Sequence, residues 1–455
     1  MVRKVTFQRG DETMVAAARS VALGLGRAGY QALFAGGCVR DALLGRALKD
    51  IDIATSATPD QVEALFAGRT VAVGKAFGVV VVLRDGFSFD VATFRTDGAY
   101  ADGRHPDSVV FATAEGDAQR RDFTVNGLFC DPESGEVTDF VGGLADLDAQ
   151  VIRAIGDPEA RFREDHLRML RAVRFGSVLG FGIESGTWAA MRSHAEWLRT
   201  VSAERVASEF VRTLCESPRP SVGLNLLRES GLLARFLPEA VALYGTRQPP
   251  KFHPEGDVWT HTCLMLDELA APRDLGLALA VLLHDIGKPA TFCEQPEEDG
   301  TRIRFPNHAP VGAEMAEAIL LRLRQPTARV EEVKTLVAGH MRFVEAEKMR
   351  RAKLRRFLGA ACFPKMLELM RLDVLYSNGD FATWHFLKSS FESFTAEPVL
   401  PEPLVRGRDL MAWGMTPGPA MGACLNALYD AQLEGRVSTL EEARAYAGTL
   451  IAGAN

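Results

Sequence analysis

A chain of 455 residues is too long for a single hydrophobic core, and at roughly 100–200 residues per domain it predicts three or more units. Its apolar fraction of 47% is ordinary for a soluble globular protein, while a net charge of −7 excludes bulk attraction to nucleic acid, so any RNA contact must rest on local basic patches. Seven cysteines lie far apart with no CxxC pair, which argues for reduced thiols in a cytosol and against a disulfide framework.

The start, MVRKVTFQRG, has no apolar core for a signal peptide. Residues 13–29 predict an amphipathic helix closed by Gly29. From there to about 150 the segments YQALFAGG, DIDIAT, GVVVVLRDGFSFDVATF, SVVFAT and GLFCDPESGEVTDF predict strands, with turns at Asp85-Gly86 and Ser134-Gly135. Helices are expected near 39–46 and 58–67. After Gly156-Asp157-Pro158 strand signals almost stop, and helices follow one another, broken at PRPSVG, YGTRQPPKFHPEG and EQPEEDGT. The Pro-rich stretch near 245–256 is the main internal boundary, and AEPVLPEPLVRG is a further break. The longest apolar run, Leu275 to Leu283, is too short to span a bilayer. The expectation is a cytoplasmic protein with an α+β head and a long helical body, making no membrane contact.

The segment FAGGCVRDALLGRALKDIDIATSA holds the first chemical signal. Gly36 and Gly37 allow positive φ and close backbone approach, which suits a loop against phosphate, and Arg40 can pair bidentately with phosphate oxygens. Asp50 and Asp52 sit two apart in an alternating strand pattern, so both carboxylates leave one face. Bare carboxylates side by side repel, and a hard cation such as Mg²⁺ removes that cost. In QRRDFTVNGLF, Arg120 and Arg121 are adjacent cations, Asp122 can anchor one of them, and Asn126 can hydrogen-bond a sugar or base. Arg121 is the candidate second clamp on a triphosphate, the alternative being a surface Arg-Asp pair. In REDHLRMLRAVRF, Asp165, Arg168, Arg171 and Arg174 fall at successive i+3 steps of a predicted helix. Such groups could read the edge of a base, or could form a solvated salt-bridge helix.

Together these stretches resemble the tRNA nucleotidyltransferase and poly(A) polymerase family in its bacterial, class II form, over roughly residues 28–245. FRTDGAYADGRHPDSVVF is similar to the family's flexible-loop region, and SAERVASEF to its next helical motif. Cys38 stands where a small residue such as alanine is common, and Gly127 where alanine is usual; neither departure removes a reacting group. The resemblance implies that Gly36, Gly37 and Arg40 bind the triphosphate, that Asp50 and Asp52 hold Mg²⁺, and that Arg121 contacts the nucleotide. It also implies that Asp165 and Arg168 select CTP or ATP, with Arg171 and Arg174 in support. Asp90, in FSFDVATF, is a candidate third carboxylate.

A second constellation follows: His261 in VWTHTCLMLDEL, His284 and Asp285 at the end of an apolar helix, then His308, His340 and Asp373. Neutral imidazole with carboxylate suits a transition metal or a mixed metal site. The order resembles the HD superfamily of metal-dependent phosphohydrolases, which implies that His261, His284, Asp285 and Asp373 are ligands to a divalent transition metal or Mg²⁺. His308 and His340 would then be extra ligands, as in proteins with two metals. His253 and His385 are read as satisfied core histidines.

The two resemblances imply an α+β protein: a polymerase-β-like nucleotidyltransferase head with a mixed sheet over 1–155, a helical neck over 156–245, an HD body over 246–395 and a helical tail over 396–455. The densest basic run, EKMRRAKLRRF, offers Arg350, Arg351, Lys353, Arg355 and Arg356 as a track for RNA phosphates, or as a solvated helix face. The expected activity is template-independent addition of C and A from CTP and ATP to the 3′ end of tRNA. Addition of A alone, of CC alone, and poly(A) synthesis are rivals with the same chemistry, and the DGRHP region speaks against the CC-only form. An HD phosphohydrolase with a nucleotide-binding head, or a non-catalytic tRNA-binding protein, would be a different class.

Overall fold

The computed structural model describes residues 3–7, 11–71, 75–97, 109–297, 300–394 and 398–452. The DGRHP region therefore lies outside the described residues. Two compact units are present, Met1–Val241 and Ala242–Asn455.

In the first unit, α1 (Glu12–Arg27) buries Val15, Ala18, Val21, Ala22 and Leu25, the stripe expected of an amphipathic helix, and the chain turns at Gly29 with φ 87°. The order continues β1 (Ala32–Ala35), α2 (Gly37–Leu43), β2 (Asp52–Thr55), α3 (Pro59–Leu65), β3 (Thr70–Val71), β4 (Val79–Arg84) and β5 (Phe87–Thr93). Next come the paired strands β6 (Arg95–Asp97) and β7 (Val109–Phe111), α4 (Ala114–Gln119), β8 (Leu128–Cys130), β9 (Val137–Asp139), α5 (Gly143–Asp148) and β10 (Val151–Ile152). Among the described residues seven strands form one sheet in the order β3-β4-β5-β2-β1-β8-β9, with β2 and β5 parallel and the other pairs antiparallel.

The strand period of two places the core on both faces of this sheet. Phe34 packs with Leu25, Ile53 and Phe89 on one side, while its neighbours Leu33 and Ala35 pack with Phe94, Phe129 and Ala118 on the other. Each fully buried phenylalanine contributes about 1.5–3 kcal/mol. The β4–β5 hairpin turns on Asp85 and Gly86, both at positive φ (51° and 83°), the geometry that suits a two-residue hairpin loop.

The rest of the first unit is α6 (Pro158–Glu164), α7 (Arg168–Leu179), β11 (Gly182–Ile183), α8 (Ser185–Ser193), α9 (Ala203–Glu216), α10 (Pro220–Glu229), α11 (Leu233–Phe236) and α12 (Pro238–Val241). One expectation is corrected here. Asp165 is not on the helix that carries Arg168, Arg171 and Arg174. It is extended (φ −146°, ψ 105°), because its Oδ1 accepts from the Leu167 amide at 3.1 Å and breaks the helix.

The second unit is helical: α13 (Val258–Glu268), α14 (Leu275–Leu283), α15 (Lys288–Thr291), α16 (His308–Arg322), α17 (Thr327–Gly339), α18 (Arg351–Leu358), α19 (Phe363–Leu375), α20 (Ala382–Glu392), α21 (Gly407–Ala412), α22 (Pro419–Leu433) and α23 (Leu440–Ala452). A second correction falls between α15 and α16. The segment EQPEEDGT is not merely a break between helices; strands β12 (Cys293–Glu297) and β13 (Gly300–Arg304) pair there. Helix α14, apolar all round, is buried from Gly276 to Leu283, and no helix among the described residues is long and apolar enough to cross a membrane.

Candidate functional site

Gly36 leaves β1 at φ 76° and opens α2. A Cβ there would lie 2.8 Å from Nη1 of Arg121, so the corner requires glycine for backbone and for space. Gly37 starts the helix without positive φ, and a Cβ on it would meet nothing closer than Arg40 at 3.6 Å. Arg40, buried at 7% exposure, donates from Nη1 to Asn126 Oδ1 at 2.5 Å and pairs with Asp41.

Asp50 and Ile51 lead into β2, which begins at Asp52. The parallel register Ile53↔Val91 sets Asp90 on β5 beside Asp52. Burial pushes the Asp52 carboxyl up to about 6, and the charges of Asp50 and Asp90 push the same way, against a smaller pull from Arg121. Three carboxylates gathered at one strand end, one of them resisting ionisation, fit a hard divalent cation.

The second motif is wired differently from the simplest expectation. Asp122 does not hold Arg120 or Arg121. Both pair with Asp117, three and four residues earlier on α4, at 2.6 and 2.9 Å. Asp122 instead accepts from Arg171 Nε at 2.7 Å and from Asn126 Nδ2 at 3.0 Å. Its burial favours the neutral acid, but Arg171, the Asn126 bond and Arg168 outweigh that and hold it well below the usual carboxylate range. The guanidinium of Arg121 stacks over Phe129 at 5.0 Å.

Around α7, Arg168 donates to Glu164 at 2.5 Å and to the carbonyls of Arg161 and Arg120. Asp165 accepts from Arg205 at 2.8 Å, and Arg174 from α7 pairs with buried Glu209 of α9 at 2.5 Å. Glu164, Arg205, Glu209 and Asp117 escaped the sequence reading as individual site residues. The available signal was SAERVASEF, where Arg205 and Glu209 stand one helical turn apart.

These stretches meet. A cavity of about 530 Å³ is lined by Gly36, Gly37, Arg40, Asp50, Asp52, Arg121, Asn126, Asp165, Arg168, Arg171 and Arg174, together with Arg46, Lys49 and Arg212. Ten cationic side chains face six carboxylates in its full lining, within a chain whose net charge is negative. Such a cavity attracts a polyanion.

A separate cluster lies in the second unit. His261 on α13, His284 and Asp285 after α14, His308 at the start of α16, His340 after α17 and Asp373 on α19 fall into two adjoining trios: His261, His284 and Asp373, and Asp285, His308 and His340. The pair His284–Asp285, 3.1 Å apart, joins them. Nδ1 of His284, His308 and His340 donates to the carbonyl three residues back, of Val281, Phe305 and Val337 respectively, which leaves each Nε2 as an electron-pair donor. His261 Nδ1 bonds Glu255 at 2.7 Å. His261 Nε2, His284 Nε2 and both Asp285 oxygens are buried without a formed hydrogen bond, although Lys288 Nζ lies 2.6 Å from Asp285. Burial pushes His340 down to about 4, keeping it neutral. Electron-pair donors left without a hydrogen bond where two such trios adjoin fit a metal. His253 is not an isolated core histidine: it shares Glu255 with His261 and supports this cluster.

The basic run divides. Arg350, Arg351 and Lys353 are exposed. Arg355 is buried, its guanidinium bonded to the carbonyls of Val399 and Pro398, so it is withdrawn from any RNA-facing set. Arg356 pairs with Asp430 at 2.7 Å.

Three family models match the chain: the poly A polymerase head domain over residues 32–153, the probable RNA and SrmB-binding site of polymerase A over 180–243, and the HD domain over 258–371. A CC-adding tRNA nucleotidyltransferase of Thermus thermophilus is 37% identical over 423 residues, 90% of this chain and 92% of that protein. A CCA-adding enzyme of Geobacillus thermodenitrificans is 47% identical over 215 residues, 47% of this chain and 52% of its own length, so the match spans about half of that relative. Among solved structures, the Bacillus stearothermophilus CCA-adding enzyme in complex with CTP superposes with TM-score 0.72 at 30% identity, covering 95% of this chain and 96% of that one. The Thermotoga maritima CCA-adding enzyme complexed with tRNA shares the fold at TM-score 0.59 and 18% identity, over the whole of both chains.

Proposed function

The chain belongs to the tRNA nucleotidyltransferase and poly(A) polymerase family, and we propose that it adds C and A nucleotides from CTP and ATP to the 3′ end of tRNA without a nucleic-acid template. The observation that carries this reading is the single cavity in which the glycine corner, the carboxylate pair, Arg121 and the α7 arginines converge. Arg40, Arg121, Arg171 and Arg174 grip the triphosphate as charge-assisted donors. Asp165 and Arg168 present an acceptor and a donor to the base edge, held in place by Arg205 and Glu164.

Asp50 and Asp52, with Asp90 beside them, would hold Mg²⁺, which when bound neutralises charge at the reacting phosphate and eases loss of the hydroxyl proton, in the two-metal manner. The terminal ribose oxygen bonds to the α-phosphorus, the bond to the β-phosphate oxygen breaks, and pyrophosphate leaves as the hydroxyl proton passes to solvent. Exposed Arg350, Arg351 and Lys353 are the remaining candidates for phosphate contacts on the second unit. The setting of this activity is the cytoplasm.

The buried His/Asp cluster is a second metal centre, for a transition ion or Mg²⁺, held by His261, His284, Asp285, His308, His340 and Asp373. Domain limits near 155, 245 and 395 accompany the reading. A CC-adding activity is the second reading, favoured by the relative that matches over most of both chains. Incubation with tRNA transcripts ending before C74, at C75 or at A76, each with labelled CTP or ATP, separates the two. CCA addition labels the first two from ATP once CTP is present, whereas a CC-adding enzyme stops at C75. No extension of any transcript refutes both.

A further inference from the structure

Phe175 on α7 is 7% exposed and meets Phe123 edge to face, with centroids 5.9 Å apart. Three guanidinium carbons lie close to its ring centroid: Arg174 at 4.1 Å, Arg40 at 5.1 Å and Arg171 at 5.3 Å. Two of these come from the same helix and the third from α2, beside the glycine corner. All four residues line the cavity.

Three like charges brought to one place repel. Their carboxylate partners relieve this only in part, because Asp41 serves Arg40 while Asp122 and Glu209 serve Arg171 and Arg174. No one of these carboxylates spans both α2 and α7. The Phe175 ring does, and its negative π face attracts each cation within about 6 Å. We propose that Phe175 is a positioning residue whose π face gathers Arg40, Arg171 and Arg174 into a single array that grips the polyphosphate of the incoming nucleotide. The inference rests on the nucleotide-binding reading given above. The competing account is that Phe175 only fills space against Phe123.

Fluorine withdraws π density while nearly preserving ring shape, so it separates the two accounts. Position 175 is replaced in the full chain by 4-fluoro-, 3,5-difluoro- and 3,4,5-trifluorophenylalanine, and by cyclohexylalanine. Dissociation constants are measured for Mg²⁺-CTP and for inorganic tripolyphosphate, with the thermal midpoint as control. Affinity for both ligands should fall stepwise with fluorine number, by about five-fold at three fluorines, while the midpoint holds. Equal affinity across the fluorinated series, in a wild type that binds both ligands, overturns the inference and leaves the nucleotide reading standing. A wild type that binds tripolyphosphate with the fluorine trend but does not bind CTP overturns the nucleotide reading and leaves the array standing.

Discussion

Arg40 donates from Nη1 to Asn126 Oδ1 at 2.5 Å, and Asn126 donates in turn to Asp122 at 3.0 Å. The glycine corner and the RRDFTVN segment, 86 residues apart, are thereby one hydrogen-bonded unit. Asp122 extends it to Arg171 on α7. Asn126→Ala removes both bonds at a buried position and leaves the Nη1 end of Arg40 without its partner, with Asp41 still holding Nε and Nη2. A bond to a charged group is worth about 1.5–3 kcal/mol, so KM for CTP and ATP should rise roughly ten-fold or more. Steady-state extension of a tRNA transcript measures this; an unchanged KM would show that Asn126 does not orient Arg40.

Asp52 gives a prediction in pH. Its carboxyl is pushed up to about 6 from 3.8, so its contribution to folding is complete below pH 3.8 and is lost as pH rises through about 6. Without a divalent ion at neutral pH, the ionised group destabilises the fold by up to about 3 kcal/mol. Asp52→Asn should therefore raise the thermal midpoint in chelator at pH 7.5 by about 2–6 °C while abolishing extension. Added Mg²⁺ should stabilise the wild type more than the variant, which keeps only the His/Asp centre as a place for the ion. A variant no more stable than wild type in chelator contradicts the placement of three carboxylates together.

Much of this was legible in the sequence because it depends on local rules. Alternation in YQALF and DIDIA sets which side chains share a face of the sheet, and Asp85-Gly86 sets a hairpin turn. What was not legible depends on long-range partners or on polar side chains acting as breakers. The i+3 pattern runs straight through Asp165, and only its bond to the Leu167 amide ends the helix there. Arg355 looked like its neighbours in a basic run, yet the carbonyls that bind it lie 43 and 44 residues downstream. Strands β12 and β13 were hidden because CEQPE carries a proline and no β-branched residue. Glu255 gave no signal at all, since its role depends on His253 and His261 both turning toward it.

Gly36→Ala tests the corner. The position sits at φ 76°, and an added methyl would meet Arg121 at 2.8 Å, so backbone and clamp are both disturbed. Strain of this kind costs about 1–3 kcal/mol. Nucleotide affinity should fall about ten-fold or more, with a modest loss in thermal midpoint. Gly37→Ala, which has room, should lose far less. Equal losses in the two variants would mean that helix geometry, and not the approach of Arg121, governs the corner.

The His/Asp cluster predicts a metal independent of the catalytic carboxylates. Asp285 touches both trios: His284 at 3.1 Å, His308 at 3.6 Å and His340 at 3.8 Å. Asp285→Asn replaces a charged ligand by a neutral one, which should empty the centre, and elemental analysis of purified protein should find the bound transition metal or Mg²⁺ lost. With the centre empty, the His261–Asp373 pair, 3.2 Å apart, loses the ion's charge, and buried Lys288 loses its Asp285 carboxylate, so the second unit should melt several degrees lower. Extension of tRNA should persist, because the residues assigned to nucleotidyl transfer all lie in the first unit. Hydrolysis of a 2′,3′-cyclic nucleotide, where the wild type shows it, should disappear in this variant and survive Asp50→Ala. If extension and metal content fell together, the two chemistries would have to share one centre, against the assignment of their residues to different units.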